Sequence, residues 1–279
     1  MAEIPSIWGI HESTDLNDYY NKHLIFKHLT PRIANTILKP NRNLFVCKST
    51  MKLFEKYNHF ANMDFIYSGI DVKTVSQQSK VQLREKLNLP SKTIVAIIGT
   101  ICERKGQVDF VKAAKNILAL RNDLLFLIIG KNSNDEYYHQ VLNEIGQLKD
   151  IALLDIKENI MEYYGATDIF VCCSNNESFP LVILEAMASS IPIVTTPVFG
   201  ISEQLADGET ALFYKPGDIN QLVDKIRYLL DNPDESKLLG EKAYKAVSIL
   251  FHEDAMLQKY KDLFQTVAFE EVIARPLTF

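Results

Sequence analysis

The chain has 279 residues and a formal net charge of −5, with a pI near 5.7, a balance that argues against nucleic acid as its main partner because such binders carry a domain-wide basic excess. Hydrophobic residues at 47% and charged residues at 23% describe an ordinary globular protein with a real core and length for one large or two modest domains. The longest apolar runs, such as Leu124–Ile129, fall far short of the ~18 residues a membrane span needs, and no basic-then-apolar export pattern opens the sequence.

The first 90 residues read as strand Ile4–Ile10, helices Leu16–Leu29 and Pro31–Leu38, strand Leu44–Cys47, helix Ser49–Tyr57 and strand Asp64–Tyr67. Three strands and their helices make only part of a doubly wound domain, which needs roughly 100 residues for a core of its own. Residues 1–70 are therefore expected to be the tail of a truncated second domain, either because the chain is a fragment or because another chain supplies the rest. The stretch Lys22 to Lys56 holds eight Lys or Arg and one acid, Glu55. It reads as a solvated face, with peripheral attraction to anionic lipid as the sharper alternative, at ~1 kcal/mol per basic residue near a membrane. Gly69-Ile70-Asp71 and the polar residues after them open a linker, 71–92.

From Thr93 onward strand-length apolar runs alternate with helical patterns. The runs are Ile94–Ile98, Leu124–Ile129, Ile151–Leu154, Ile169–Cys173, Ile191–Thr195 and Ala211–Tyr214. The helical patterns are Gln107–Leu120, Asn134–Leu148, Asn159–Gly165, Leu181–Ser190 and Ile201–Asp207, followed by Asn220–Leu230 and Ser236–Leu250 with Asn232-Pro233 as the break between the last two. Helices alternating with wholly apolar strands predict an α/β fold, a doubly wound parallel sheet covered on both faces. Cys47, Cys102, Cys172 and Cys173 form no CxxC pair, so reduced thiols in a cytoplasmic protein are expected.

Open parallel sheets bind ligands outside the carboxyl ends of their strands. The residues there are Gly99-Thr100 with Glu103-Arg104-Lys105-Gly106, then Gly130-Lys131, Ser174 to Pro180, and Thr196 to Gly200. Small residues let backbone approach a ligand, and cations answer phosphate. Pro180 suits the first turn of a helix, where its missing N–H is not needed. The N–H groups of Phe179, Leu181 and Val182 beside Ser178 would then form an anion site supported by the helix dipole. Glu177 and Glu185 flank it, and a carboxylate accepts hydrogen bonds from the vicinal hydroxyls of a ribose or hexose. Trp8 reads as a core residue, and His11 as either a rim histidine or a functional one. No Asp or His cluster suggests a metal site.

Glu177 to Glu185 followed by Ala186-Met187-Ala188 resembles the E-x7-E motif of GT-B glycosyltransferases of the large retaining family 4. Gly99 to Gln107 resembles that family's "GR…KG" loop, with Thr100 in place of its arginine. Pro192 to Thr196, Gly200 to Glu203, Asp207 to Ala211 and Pro216 to Asp218 keep the family's order and spacing. Pro5 to Glu12 is similar to a loop of its N-terminal domain, and Tyr67 to Asp71 to its interdomain crossover. The resemblance implies Rossmann-like domains: a partial acceptor-side segment, 1–70, and a donor nucleotide-sugar-binding domain, 93–251, with 252–279 as a helix and tail packing back toward the N-terminal segment. It implies that Lys105 binds the donor pyrophosphate, Glu185 the nucleoside ribose, Glu177 the donor sugar and the Phe179–Val182 amides the phosphate. His11 would lie near the reacting centre, and Arg104 would answer for Thr100. Gly99 and Lys131 complete the donor-binding set, and Asp155 stands where the family often has Gly near the base. The implied reaction is metal-independent, retaining transfer of a hexose from a UDP- or GDP-linked donor to a glycan or lipid-linked acceptor, with the nucleotide sugar as substrate and no further cofactor. The alternatives are a non-catalytic nucleotide-sugar-binding fragment, a nucleotide-sugar epimerase of the same fold, and a bare α/β interaction domain.

Overall fold

The computed structural model describes residues 6–11, 42–56, 62–75, 78–155 and 157–274. The helices expected at Leu16–Leu29 and Pro31–Leu38, and the basic run as far as position 41, lie outside the described residues. Two compact units emerge: residues 1–69 with 253–279, and residues 70–252.

In the first unit strands β1 (Ile7–Ile10), β2 (Arg42–Phe45) and β3 (Met63–Phe65) form a parallel sheet in that order. Helix α1 (Lys48–Glu55) sets Phe54 against Phe45, ring centroids 5.2 Å apart, beside Ile10. Trp8, read as core from the sequence, is 45% exposed. It shares its face of β1 with Ile10, the strand's one buried residue. The chain's last helix, α10 (Glu253–Ala274), belongs to this unit, where Gly69 N–H donates to Met256 Sδ at 3.1 Å.

The second unit is built on six parallel strands: β4 (Thr93–Ile98), β5 (Leu124–Ile129), β6 (Ile151–Leu154), β7 (Ile169–Cys172), β8 (Ile193–Thr195) and β9 (Leu212–Phe213). Their order across the sheet is β6-β5-β4-β7-β8-β9. The chain thus builds outward from β4 in one direction, then returns to β7 beside β4 and builds outward the other way. This is the order of dinucleotide-binding doubly wound folds, with the reversal between β4 and β7. Leu124–Ile129 is buried at every position, as a parallel strand covered on both faces must be.

One face packs under helices α3 (Gln107–Leu118), α4 (Asp135–Ile145) and α8 (Ile219–Asp231). Val95, Ile97, Phe110, Ile117, Phe126, Ile128, Val141, Leu222 and Ile226 share that core. The other layer holds α2 (Lys80–Lys86), α5 (Ile160–Ala166), α6 (Leu181–Ala188) and α9 (Pro233–Leu250). There the Tyr164 ring lies 5.5 Å from that of Phe170. A one-turn helix, α7 (Ile201–Gln204), follows β8. Asn232 precedes α9 without a side-chain cap bond, and Pro233 occupies the helix's first turn, where a missing N–H costs nothing.

The segment 71–92 is more than a linker. Ser79 and Gln82 form a reciprocal capping box that starts α2, and Leu83 is fully buried. Lys86 pairs with Glu162 of α5 at 2.6 Å, and Arg84 donates twice to the Ala166 carbonyl, at 3.0 and 3.1 Å. A helix with one buried apolar residue has almost no hydrophobic periodicity, so only its cap marks it. No helix among the described residues is long and apolar enough to cross a membrane.

Gly130, just after β5, is a packing requirement: a Cβ there would lie 1.9 Å from the Gly99 carbonyl oxygen. Backbone cannot step aside as a side chain can. Gly130→Ala is expected to destabilise the chain by about 3 kcal/mol, at the upper end of overpacking costs, read as a fall in the urea midpoint at unchanged slope.

Candidate nucleotide site

The switch point brings the ends of β4 and β7 side by side. After β4 the chain passes through Gly99 and Thr100 into a single 3₁₀ turn, Glu103–Lys105, and then α3. Gly106 joins turn to helix with a left-handed backbone, φ 70°, and a Cβ there would sit 2.4 Å from the Cys173 carbonyl oxygen. Only glycine meets both conditions. The close approach ties the turn to the end of β7, and Asn175 N–H donating to the Arg104 carbonyl at 2.9 Å ties it again.

This positioning joins Arg104 and Lys105 to Glu177. The Glu177 side chain is 7% exposed, and a single oxygen, Oε1, receives three donors. Arg104 Nη1 lies at 2.9 Å and Ser174 Oγ at 2.9 Å, and Lys105 Nζ forms an ion pair with the same atom. Arg104 Nη1 also reaches the Asn176 carbonyl at 3.3 Å. A buried carboxylate needs such partners, because leaving one unpaired away from water costs several kcal/mol, on the order of 3–5. Arg104 is half exposed, 51%, whereas Lys105 is only 13% exposed. The guanidinium therefore keeps an open edge while the ammonium is largely enclosed. A Cβ on Gly99 would stand 4.0 Å from Lys105 Nζ, so this glycine borders the ammonium.

Helix α6 begins at Leu181, where the sequence pattern starts it, but Pro180 is its extended cap residue, ψ 125°, and not part of its first turn. The Pro180 carbonyl accepts from Ile183 N–H at 3.2 Å and from buried Gln204 Nε2 at 3.1 Å. Because no side chain caps this helix, the N–H groups of Leu181 and Val182 belong to a first turn that has no intrahelical acceptor. Phe179 N–H lies before the turn, and its buried ring packs against Phe251 with centroids 5.5 Å apart. Leu181 is exposed, and Ser178 and Val182 are half-buried.

Glu185, one turn further along α6, meets different chemistry. Its Oε2 accepts from Tyr164 Oη at 2.7 Å. Burial raises its carboxyl above the ordinary Glu value, and the Tyr164 hydrogen bond opposes that rise. Tyr164 is itself pushed well above the usual phenol range by burial and then by Glu185, which keeps it a donor.

The remaining expected residues are more scattered. The Thr100 side chain is exposed, and its carbonyl accepts from Gln107 Nε2 at 3.0 Å. Lys131 is exposed, and its carbonyl accepts from Ile101 N–H at 2.9 Å. Asp155 is exposed at the end of edge strand β6. His11 follows β1 in the first unit and is exposed. Sequence reasoning placed Ser174 and Asn176 at the ligand edge without a role, and passed over Tyr164 and Gln204. Asn176 Oδ1 and Gln204 Oε1 are buried oxygens without a partner, acceptors left over at a polar edge where most such groups are satisfied.

The arrangement can hold an anion between two cations and a helix start, with a half-buried carboxylate one turn away. Comparisons place it among known proteins. The D-inositol 3-phosphate glycosyltransferase of Corynebacterium aurimucosum is 26% identical over 228 residues, 76% of this chain and 54% of that protein. The N-acetyl-alpha-D-glucosaminyl L-malate synthase of Bacillus anthracis is 26% identical over 203 residues, 72% of this chain and 53% of its own length. The chain thus spans about half the length of these curated relatives. Among solved structures, Anabaena HepE in complex with UDP and glucose superposes with a TM-score of 0.81 at 19% identity, covering 94% of this chain and 71% of that one. The sucrose-phosphate synthase of Thermosynechococcus elongatus gives 0.82 at 20% identity, covering 95% and 68%. The family profile described as "Glycosyl transferases group 1" matches residues 79–246, more than half of the chain and most of the second unit, and the chain belongs to that family.

Proposed function

We propose that residues 93–251 bind a nucleotide diphosphate sugar, and that the protein transfers its hexose, with retention, to a glycan or lipid-linked acceptor. The observation that carries this reading is the meeting of Lys105, Arg104 and Glu177 at the switch point, beside the uncapped start of α6. In this reading Lys105 and Arg104 take the pyrophosphate, and the Leu181 and Val182 amides add the dipole of a helix start. Glu177 receives sugar hydroxyls and Glu185 the ribose diol. As the bond to the sugar breaks, negative charge grows on the leaving diphosphate. Fixed cations and amides stabilise it there without having to reorganise. Gly99 leaves room for the pyrophosphate at the end of β4. HepE and this chain share a fold, and the HepE complex holds UDP and glucose, so UDP is the first nucleotide to try.

Calorimetric titration with UDP, GDP, ADP and their common hexose conjugates tests the reading. Selective binding of one nucleotide is expected, with its sugar conjugate bound at the same site. Failure of all three nucleotides to bind would overturn it.

A further inference from the structure

Tyr164 is fully buried, yet its hydroxyl makes a polar contact at the candidate site. It sits on α5 in the second layer and reaches across to α6, donating to Glu185 Oε2 at 2.7 Å with the Val182 carbonyl 3.4 Å away. Among the described residues the Glu185 side chain has no other partner, so Oε1 is the oxygen left unengaged. The titratable groups facing this pair are each other and the Cys172 thiol on β7, and among the described residues no cation shares in it. Glu177 differs: it is surrounded by two cations and a hydroxyl. The two glutamates are therefore held by opposite means, one by charge and the other by a single neutral donor.

We infer that Tyr164 is the positioning residue of the nucleotide site, fixing Glu185 with Oε2 turned inward so that Oε1 faces the ribose diol as an ionised acceptor. This rests on the assignment of Glu185 to the ribose. The physical reason is orientation together with charge. A glutamate side chain has three rotatable bonds, and a carboxylate held at one oxygen loses little freedom when a ligand engages the other. A hydrogen bond to the ionised form also favours that form. Without the phenol, the half-buried carboxyl would hold its proton to higher pH. It would then offer the diol a donor where an acceptor is needed. Phenylalanine preserves the ring packing against Phe170 and removes only the hydroxyl, so Tyr164→Phe isolates this effect.

The test is calorimetry across pH with whichever of UDP, GDP and ADP binds tightest, together with its 2′,3′-dideoxy analogue. Tyr164→Phe is expected to lower affinity at acid pH, by up to about tenfold at pH 5, and to lose that effect by pH 8.5, since a one-unit displacement of a carboxyl pKa changes its ionised fraction by at most a factor of about ten, reached below both values. The dideoxy analogue, with no diol to offer, should bind wild type and Tyr164→Phe alike at every pH. Glu185→Gln should bind the nucleotide weakly, with this pH dependence gone. A loss in Tyr164→Phe that is uniform in pH, or that persists with the dideoxy analogue, would mean a structural role and overturn the inference. If Glu185→Ala binds as wild type does, the assignment of Glu185 itself fails. If Glu185→Ala loses affinity while Tyr164→Phe keeps wild-type affinity at every pH, only the inference fails. Thermal unfolding of Tyr164→Phe within a few degrees of wild type shows that the fold survives, and a variant that unfolds early is replaced by Tyr164→His, whose ring can restore a donor and should recover part of the affinity.

Discussion

Lys105→Met is expected to weaken binding of a nucleoside diphosphate by about 10- to 100-fold and to leave binding of the parent nucleoside nearly unchanged. A hydrogen bond involving a charged group contributes about 1.5–3 kcal/mol, and each 1.4 kcal/mol is tenfold in affinity. Methionine keeps most of the volume of a side chain that is only 13% exposed, so the packing around Gly99 and Gly106 should hold. The partner carboxylate is not stranded either, because Arg104 and Ser174 remain on Glu177 Oε1. Folding stability should change little while affinity falls. Glu177→Ala should give the opposite pattern in stability. It leaves the largely enclosed Lys105 ammonium without its partner, and breaking a buried pair from one side costs about 3 kcal/mol or more. Measuring both variants by calorimetry and by urea unfolding separates the roles. If Lys105→Met loses diphosphate and nucleoside affinity in equal proportion, the pyrophosphate contact is wrong. The loss should persist at high salt, because the Lys105 ammonium is enclosed, whereas the part of the affinity carried by the open edge of Arg104 falls with salt in wild type and variant alike.

How much of this was legible in the sequence follows from what kind of interaction fixes each part. The six strands of the second unit were readable because parallel strands are buried on both faces, so each is a continuous apolar run, as in Leu124–Ile129. The break before helix α9 was readable, because Asn232-Pro233 punctuates the chain by local backbone rules, but the helix starts at Pro233, three residues before the Ser236 the pattern gave. Helix α2 was not. It is held by its Ser79–Gln82 box, one buried leucine and pairing with α5, and only the box is visible without the fold. Trp8 went wrong for the converse reason: an aromatic in a strand pattern predicts burial, but its exposure depends on what covers the strand. At the candidate site the acids were visible by spacing, and their partners were not. Arg104 and Lys105 stand more than 70 positions from Glu177, and only the β4–β7 adjacency brings them together. Tyr163 and Tyr164 are neighbours and both are buried. Nothing in their order says which phenol meets Glu185, because that depends on the angle at which α5 crosses α6.

Glu185→Gln is expected to stabilise the folded chain at neutral pH while weakening nucleotide binding. The sign follows from the direction of the shift. Burial raises the folded-state carboxyl above its ordinary value of 4.5, so the unfolded chain gives up this proton at lower pH than the folded chain does. The stability this group contributes is then present below the unfolded value and is lost as pH rises through the folded one. At pH 7.5 the native state carries a half-buried charge with one neutral donor, Tyr164. Glutamine keeps the shape and still accepts from the phenol, without the charge. Replacing an unfavourable site residue in this way commonly gains on the order of 1 kcal/mol, here read as a higher urea midpoint at pH 7.5 than wild type. At pH 4 the gain should shrink, because the wild-type carboxyl is then protonated in the folded state as well. An equal gain at both pH values would trace it to packing and not to charge. No gain at pH 7.5 would mean that the surroundings already compensate the carboxylate, and that the residue is not held at a cost to the fold. A gain accompanied by lost affinity identifies a residue kept for the ligand: a carboxylate that the fold alone would rather see neutral, held ionised where a ribose diol would meet it.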